Sequence, residues 1–324
     1  MKFARTLAAA WAASVFAGAL GAGTLAARAE DTIKIAVGQR GNWDTSPAEV
    51  GQQAGIFKKH GIVLDILYTQ GSGETQQAVI SNSANIGVAV GTSGALSAFS
   101  KGAPLRPISN STTGADDLFW YVRADSPIKS VKDAAGKTIS YSTGGSSTNL
   151  AVNTFIKYYD VAMKPTAVGG PAASFAQTMS GQVDIGWSSA PFGVKDMREG
   201  KIRMLIRMSD VPAFKNQTVR MNVSNLTFIE QNPDALKRFR DAYKETLDFM
   251  YSDPKAIEIW SKWTGVPVDL ATSMRDEFFP RKNLQLDRVS GLDEAMADAQ
   301  AMKFISAPLT KPQMDDFLKY YYKP

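Results

Sequence analysis

Cysteine is absent from the 324 residues, and histidine occurs once, at His60. The first absence excludes disulfides, thiolate metal sites and a cysteine nucleophile. The second leaves nothing from which to assemble a Ser-His-Asp set, because His60 stands just before Gly61, where it reads as the end of a helix. No HExxH or other paired ligand spacing occurs, so neither a metal nor a cofactor nor a catalytic group is expected. After residue 29 there is no long charge-free apolar run, and the mature chain is expected to be soluble. One-sided charge is missing too. The formal net charge is +5, but residues 1–29 hold three basic residues (Lys2, Arg5, Arg28) and no acidic one, leaving +2 on the rest. That balance argues against nucleic acid or an anionic membrane as partner.

What is present begins with an address. A basic end, an apolar run from Leu7 to Leu20 and the triplet Ala27-Arg28-Ala29 read as an export signal cleaved after Ala29. No cysteine follows, which excludes lipid attachment, and the expected location is a bacterial periplasm. The remaining residues suffice for two lobes of ordinary domain size.

The chain is organised around Lys137 to Phe155. Lys137 to Ser142 alternate and carry β-branched and aromatic residues, as a strand does, and Leu150, Val152 and Phe155 belong to a helix. Between them, Ser142-Thr143-Gly144-Gly145-Ser146-Ser147-Thr148 has no charge and no large side chain. Such a turn into a helix N-terminus offers backbone N–H groups, short hydroxyls and a partial positive charge to an anionic head group. It equally suits a plain turn with Ser146 or Ser147 as helix cap. It is not a nucleotide loop: the lysine of GxxxxGK[ST] is absent and GxGxxG cannot be laid over it.

Strands alternate with helices on both sides of this stretch, implying mainly parallel α/β sheets. Ser46-Pro47-Ala48-Glu49 reads as a capping box with proline at the first helical position. Ile80 to Val88, ISNSANIGV, aligns without a gap on Met179 to Trp187, MSGQVDIGW. A duplication predicts two similar lobes, each with a loop at the carboxyl edge of its strands, where open α/β sheets bind ligands. Gln217 to Asn222 reads as a strand returning to the first lobe. The remainder is helical, with Leu236, Phe239, Tyr243, Leu247 and Met250 on one face of a long helix.

The segments Ala54 to Ile62 (AGIFKKHGI), Ser180 to Gly186 (SGQVDIG), the loop 142–148 and the helical layout from Pro233 to Tyr322 resemble those of a known family. It is the periplasmic substrate-binding proteins of ABC importers, in the nitrate/sulfonate/taurine and thiamine-precursor branch. The resemblance implies an α/β, two-lobed periplasmic binding protein type II fold, each lobe a doubly wound sheet, hinged by two crossovers. Lobe I would be residues 31–115 and 219–324, lobe II residues 118–215, with hinges near Ala115–Asp117 and Lys215–Val219. It also implies a cleft lined from lobe I by Gly41, Asn42, Trp43, Ser72, Gly73, Thr92 and Ser93. Lobe II would supply Ser142, Thr143, Gly144, Ser146, Ser147, Thr148, Trp187, Ser188 and Phe192. Trp43, in a loop between Asn and Asp, is expected to be ligand wall rather than core, whereas Trp187 reads either way. Arg40 could neutralise an anion, and Asp116 or Asp117 could receive a ligand ammonium group, but all three are expected to be solvated turn residues.

The function implied is capture of a small organic anion, sulfonate- or carboxylate-bearing, held by N–H and O–H donors rather than a salt bridge. A monomer would deliver it to an inner-membrane ABC permease. Alternatives are a thiamine pyrimidine precursor as ligand, or a periplasmic sensor docking on a receptor. Catalysis is not expected.

Overall fold

The structure, a computed structural model, describes residues 30–323. The export signal read from residues 1–29 lies outside them. Ten strands run Asp31–Gly38 (β1), Ile62–Thr69 (β2), Ile86–Gly91 (β3), Leu105–Thr113 (β4), Leu118–Arg123 (β5), Thr138–Tyr141 (β6), Lys164–Ala167 (β7), Gly186–Ser189 (β8), Ile202–Arg207 (β9) and Thr218–Asn225 (β10). One sheet has the order β2-β1-β3-β10-β4 and the other β8-β5-β9, with β6-β7 as a parallel pair. A bridge between Ile139 and Ile185 ties that pair to the second sheet. The result is a two-lobed α/β architecture, as the alternating pattern implies.

The sheets are less parallel than expected. β1 runs parallel to β2 and β3, but β10 enters from the other lobe and fills the slot between β3 and β4 in the opposite direction. β5 is antiparallel to both β8 and β9. The chain passes between the sheets twice, through residues 114–117 and 208–217. Because β10 is central in its sheet, every one of its residues is buried.

The helix Pro233–Ser252 turns Leu236, Phe239, Tyr243, Leu247 and Met250 inward, the face its 3.6-residue spacing predicts. With the helix Pro254–Thr264 it covers the first sheet. The helix Val268–Phe278 reaches the other lobe, where Phe278 packs 6.4 Å from Phe119 and lies under the Arg207 guanidinium. Among the described residues no helix is long and apolar enough to cross a membrane.

Ser46 departs from the capping-box expectation. Its backbone is already helical and its side chain caps nothing; the hydroxyl donates to the Asn42 carbonyl and accepts from Trp260 Nε1 at 3.0 Å. Glu49 accepts from the Tyr68 hydroxyl and from Gln53 instead. Tertiary partners here outcompete a local cap.

The repeat is physical. Asn82 and Gly181, at matching positions, both take left-handed backbone at the helix ends. Asn85 Oδ1 accepts from the Lys34 amide at 2.9 Å, and its counterpart Asp184 Oδ2 accepts from the Thr138 amide at 2.9 Å, so each ties its turn to the neighbouring strand. Gly87 and Gly186 let a helix lie directly on a strand. A Cβ on Gly87 would meet Val79 Cγ2 at 2.8 Å, and one on Gly186 would run into Thr178 Oγ1 of the helix Pro171–Met179 as well as Tyr121 Cζ of β5 at 2.5 Å. Gly186→Ala is therefore expected to cost about 1–3 kcal/mol by overpacking, seen as a lower urea midpoint with an unchanged slope. An unchanged midpoint would show that the helix Pro171–Met179 is free to move off its strand.

Candidate functional site

A cavity of about 30 Å³ lies between the lobes. Lobe I contributes Gly38, Gln39, Asn42, Asp44 and Thr45 at and after the end of β1, Ser72, Ala89 of β3 and Arg220 of β10. From lobe II come Leu118, Ser142, Ser146, Ser147, Thr148 and Trp187. The space holds one or two water-sized groups, so a larger solute enters only with the lobes apart.

Arg220 dominates this cavity. It stands between the fully buried Val219 and Met221, and its guanidinium faces three elements at once. Nη1 donates to Asp44 Oδ2 at 2.7 Å, Nη2 to Asp117 Oδ2 at 2.8 Å and Nε to Ser147 Oγ at 3.1 Å. Both carboxylates are 1% exposed. Asp117 also accepts from Ser189 Oγ at 2.8 Å, and Ser189 accepts from Asn42 Nδ2 at 2.9 Å. Burial pushes Asp44 up to about 6; the Arg220 charge opposes the shift and the Asp117 charge adds to it. Burial works against the Arg220 charge, but the two carboxylates outweigh it and hold the group above its ordinary range.

The loop 142–148 is wall and cap together. Ser146 caps the helix Ser147–Tyr159, its Oγ accepting from the Asn149 amide at 3.1 Å. Thr148 Oγ1 accepts from the Ser142 amide at 2.9 Å and sits 2.9 Å from both Ser142 Oγ and Ser146 Oγ. Asn149 Oδ1 takes the Gly145 amide. Much of the donor capacity expected to await a head group is thus used inside the loop, and the charged contact is a salt-bridge network the sequence reading did not include.

Backbone strain concentrates here. Gln39 and Ala89 both have positive φ, 63° and 58°, without being glycine, and both line the cavity. Such conformations cost on the order of 1–2 kcal/mol. The Ala89 amide, turned out of the β3–β10 ladder where its register shifts, donates to Asn222 Oδ1 at 3.2 Å.

The rims meet glycine on glycine. The Gly73 amide donates to Thr143 Oγ1 at 3.0 Å. A Cβ on Gly73 would come 2.5 Å from the Gly144 carbonyl, and Cβ atoms on Gly91 and Gly94 would come 2.7 and 2.5 Å from that of Gly145.

Residues 42–257 match the family described as NMT1/THI5 like. The chain belongs to the NMT1/THI5-like family. Over 244 residues, 68% of each chain, it is 20% identical to the 4-amino-5-hydroxymethyl-2-methylpyrimidine phosphate synthase THI5 of Saccharomyces cerevisiae. Its fold is similar to that of the alkanesulfonate-binding protein SsuA from Xanthomonas axonopodis pv. citri bound to MOPS (TM-score 0.70, 16% identity, 92% and 96% of the two chains). It is also similar to the periplasmic nitrate-binding protein NrtA from Synechocystis PCC 6803 (TM-score 0.71, 12% identity, 91% and 86%).

In this NMT1/THI5-like chain, Asn42, Ser72, Ser142, Ser146, Ser147, Thr148 and Trp187 line the cavity. Trp187 is also fully buried in the second-lobe core and donates its indole N–H to the Gly169 carbonyl at 3.2 Å. Gly73, Thr143 and Gly144 meet across the rim. Trp43 corrects the expectation: it is 1% exposed in the first-lobe core, 5.5 Å from Trp260, and its indole donates to the Tyr251 hydroxyl at 3.1 Å. The C-terminal helices supply that partner, which a loop context conceals. Thr92 donates to the Thr218 carbonyl at 2.6 Å, and Ser93 is buried away from the cavity lining. Ser188 and Phe192 line a neighbouring depression with Phe175 and Asp196. Asp117, expected as a solvated turn residue, is a buried partner of Arg220. Asp116 binds Asn283, Arg40 stacks on Trp263 and His60 pairs with Glu245 at 2.8 Å. No metal-holding cluster occurs among the described residues.

Asp44 faces Arg220, Asp117 and Thr112, with Tyr243 and Tyr251 from the long helix within electrostatic reach. Its folded pKa, about 6, exceeds the ordinary 3.8, so the folded form holds that proton more tightly. The resulting stability is full below about 4 and lost as pH rises through about 6. The unfolding free energy of wild type relative to Asp44→Asn is expected to fall across that window in urea titrations. A difference independent of pH would mean that Asp44 keeps an ordinary pKa.

Proposed function

We propose that this chain is a periplasmic solute-binding protein that closes on a small acid-bearing organic solute and presents the closed form to an inner-membrane ABC permease. The observation that carries this reading is Arg220, rooted in the first sheet yet bonded to Ser147 at the start of a lobe II helix and to Asp117 at a crossover. A group so placed makes cleft closure and cavity formation one event. Both stretches between the sheets serve as hinges, and a guest touching both walls favours the closed state. The first turn of the helix Ser147–Tyr159 suits a sulfonate or carboxylate, such as that of a taurine-like solute. The chain acts as a monomer and a binder, without turnover.

The family match gives a second reading, a pyrimidine precursor of thiamine as guest. A sensor docking the same closed form on a receptor is a third use of the same device. Thermal unfolding with taurine, isethionate, nitrate and 4-amino-5-hydroxymethyl-2-methylpyrimidine separates the guests. A guest at about 100 times its Kd stabilises by about 2.7 kcal/mol. The binding reading predicts that one class does so and is recovered unchanged. Stabilisation by none of them, or chemical conversion of the one that binds, overturns it.

Gly94→Ala tests closure. The added Cβ meets the Gly145 carbonyl only when the lobes touch. Affinity for the stabilising solute is expected to fall at least tenfold in calorimetry while thermal stability without it holds or rises, since alanine suits the helix Thr92–Ser100. Unchanged affinity would contradict binding by closure.

A further inference from the structure

The cavity wall carries more acceptor capacity than it uses. Asn42 Oδ1 and Asp44 Oδ1 are buried without a hydrogen-bond partner, and both residues line the cavity at 3% and 2% exposure. The orientation of Asn42 is fixed by its neighbours. Ser189 spends its one hydroxyl proton on Asp117, so its oxygen can only accept, and the Asn42 amide must turn its Nδ2 toward it. Oδ1 is then the end left over, and it can only accept. Asp44, when ionised above about pH 6, is in the same position: Oδ2 takes Arg220 and Thr112, while Oδ1 takes nothing. The charges point the same way, since one guanidinium faces two carboxylates. A buried acceptor left without a donor costs about 1–3 kcal/mol.

Resting on the reading of the cleft as a solute site, the geometry points to a guest with an N–H-bearing group, an ammonium, amidinium or ring amine, set against Asn42 Oδ1 and Asp44 Oδ1. An ammonium or amidinium supplies donors to both oxygens and offsets the excess negative charge; a neutral ring amine supplies the donors alone. A purely anionic solute leaves both oxygens unmatched and adds charge of the wrong sign. Ser72 Oγ, also buried, unpartnered and in the lining, serves either kind of guest and does not discriminate.

Matched pairs test this by titration calorimetry on the wild-type protein: taurine against propane-1-sulfonate, and 4-amino-2-methylpyrimidine against 2,4-dimethylpyrimidine, in each of which a methyl group replaces the amine. In the pair that binds, the amino member is expected to bind at least tenfold more tightly. Asp44→Asn is expected to reduce that advantage below threefold, with circular dichroism confirming the fold; the wild-type comparison stands if that variant does not fold. Equal or tighter binding of the amine-free member overturns the inference and leaves the solute-binding reading intact. Binding by neither member of either pair overturns the reading on which the inference rests.

Discussion

The Arg220 guanidinium is buried together with two carboxylates and a serine hydroxyl. Such a charge is stable only while its partners stay in position, because losing one leaves an uncompensated ion in a medium of low dielectric. Those partners come from the loop after β1, from the first crossover and from the start of a lobe II helix. Folding of lobe I, placement of the hinge and seating of lobe II are thereby coupled through one side chain. Asp44 shows the tension: its position between burial and the Arg220 charge leaves it close to titration near neutrality.

The surrounding backbone is built to let the lobes meet. Glycines 73, 91 and 94 face the 144–145 turn with no room for a side chain. Gln39 and Ala89 hold strained backbone beside the same cavity, and Asn222 supplies the acceptor that the β3 ladder gives up there. Strain and close backbone approach in one place mark a surface shaped for contact rather than for stability alone.

Much of the architecture was legible in the sequence because it rests on local rules. Strand alternation, the inward stripe from Leu236 to Met250 and the 80–88/179–187 duplication are short-range patterns, and the structure contains all three. The duplication extends to single hydrogen bonds, since Asn85 and Asp184 hold equivalent amides. The loop 142–148 was found as cavity wall for the same reason. What was missed depends on pairs far apart in the chain. Asp44 and Arg220 are 176 residues apart, and Trp43 meets Trp260 only because the C-terminal helices return over the first sheet. A signal for Arg220 did exist: an arginine between valine and methionine in a central strand has no solvent to reach and requires a buried counter-charge.

On the proposed function, the lobes close over a guest as one rigid unit each, and closure forms the cavity. The absence of native cysteine allows direct measurement, with spin labels at Lys101→Cys in lobe I and Lys132→Cys in lobe II, both exposed positions. Pulsed dipolar spectroscopy is predicted to show a longer label-to-label distance in the free protein, replaced by a single shorter one when a stabilising solute saturates the site. One unchanged distance distribution, with the solute demonstrably bound, would contradict it.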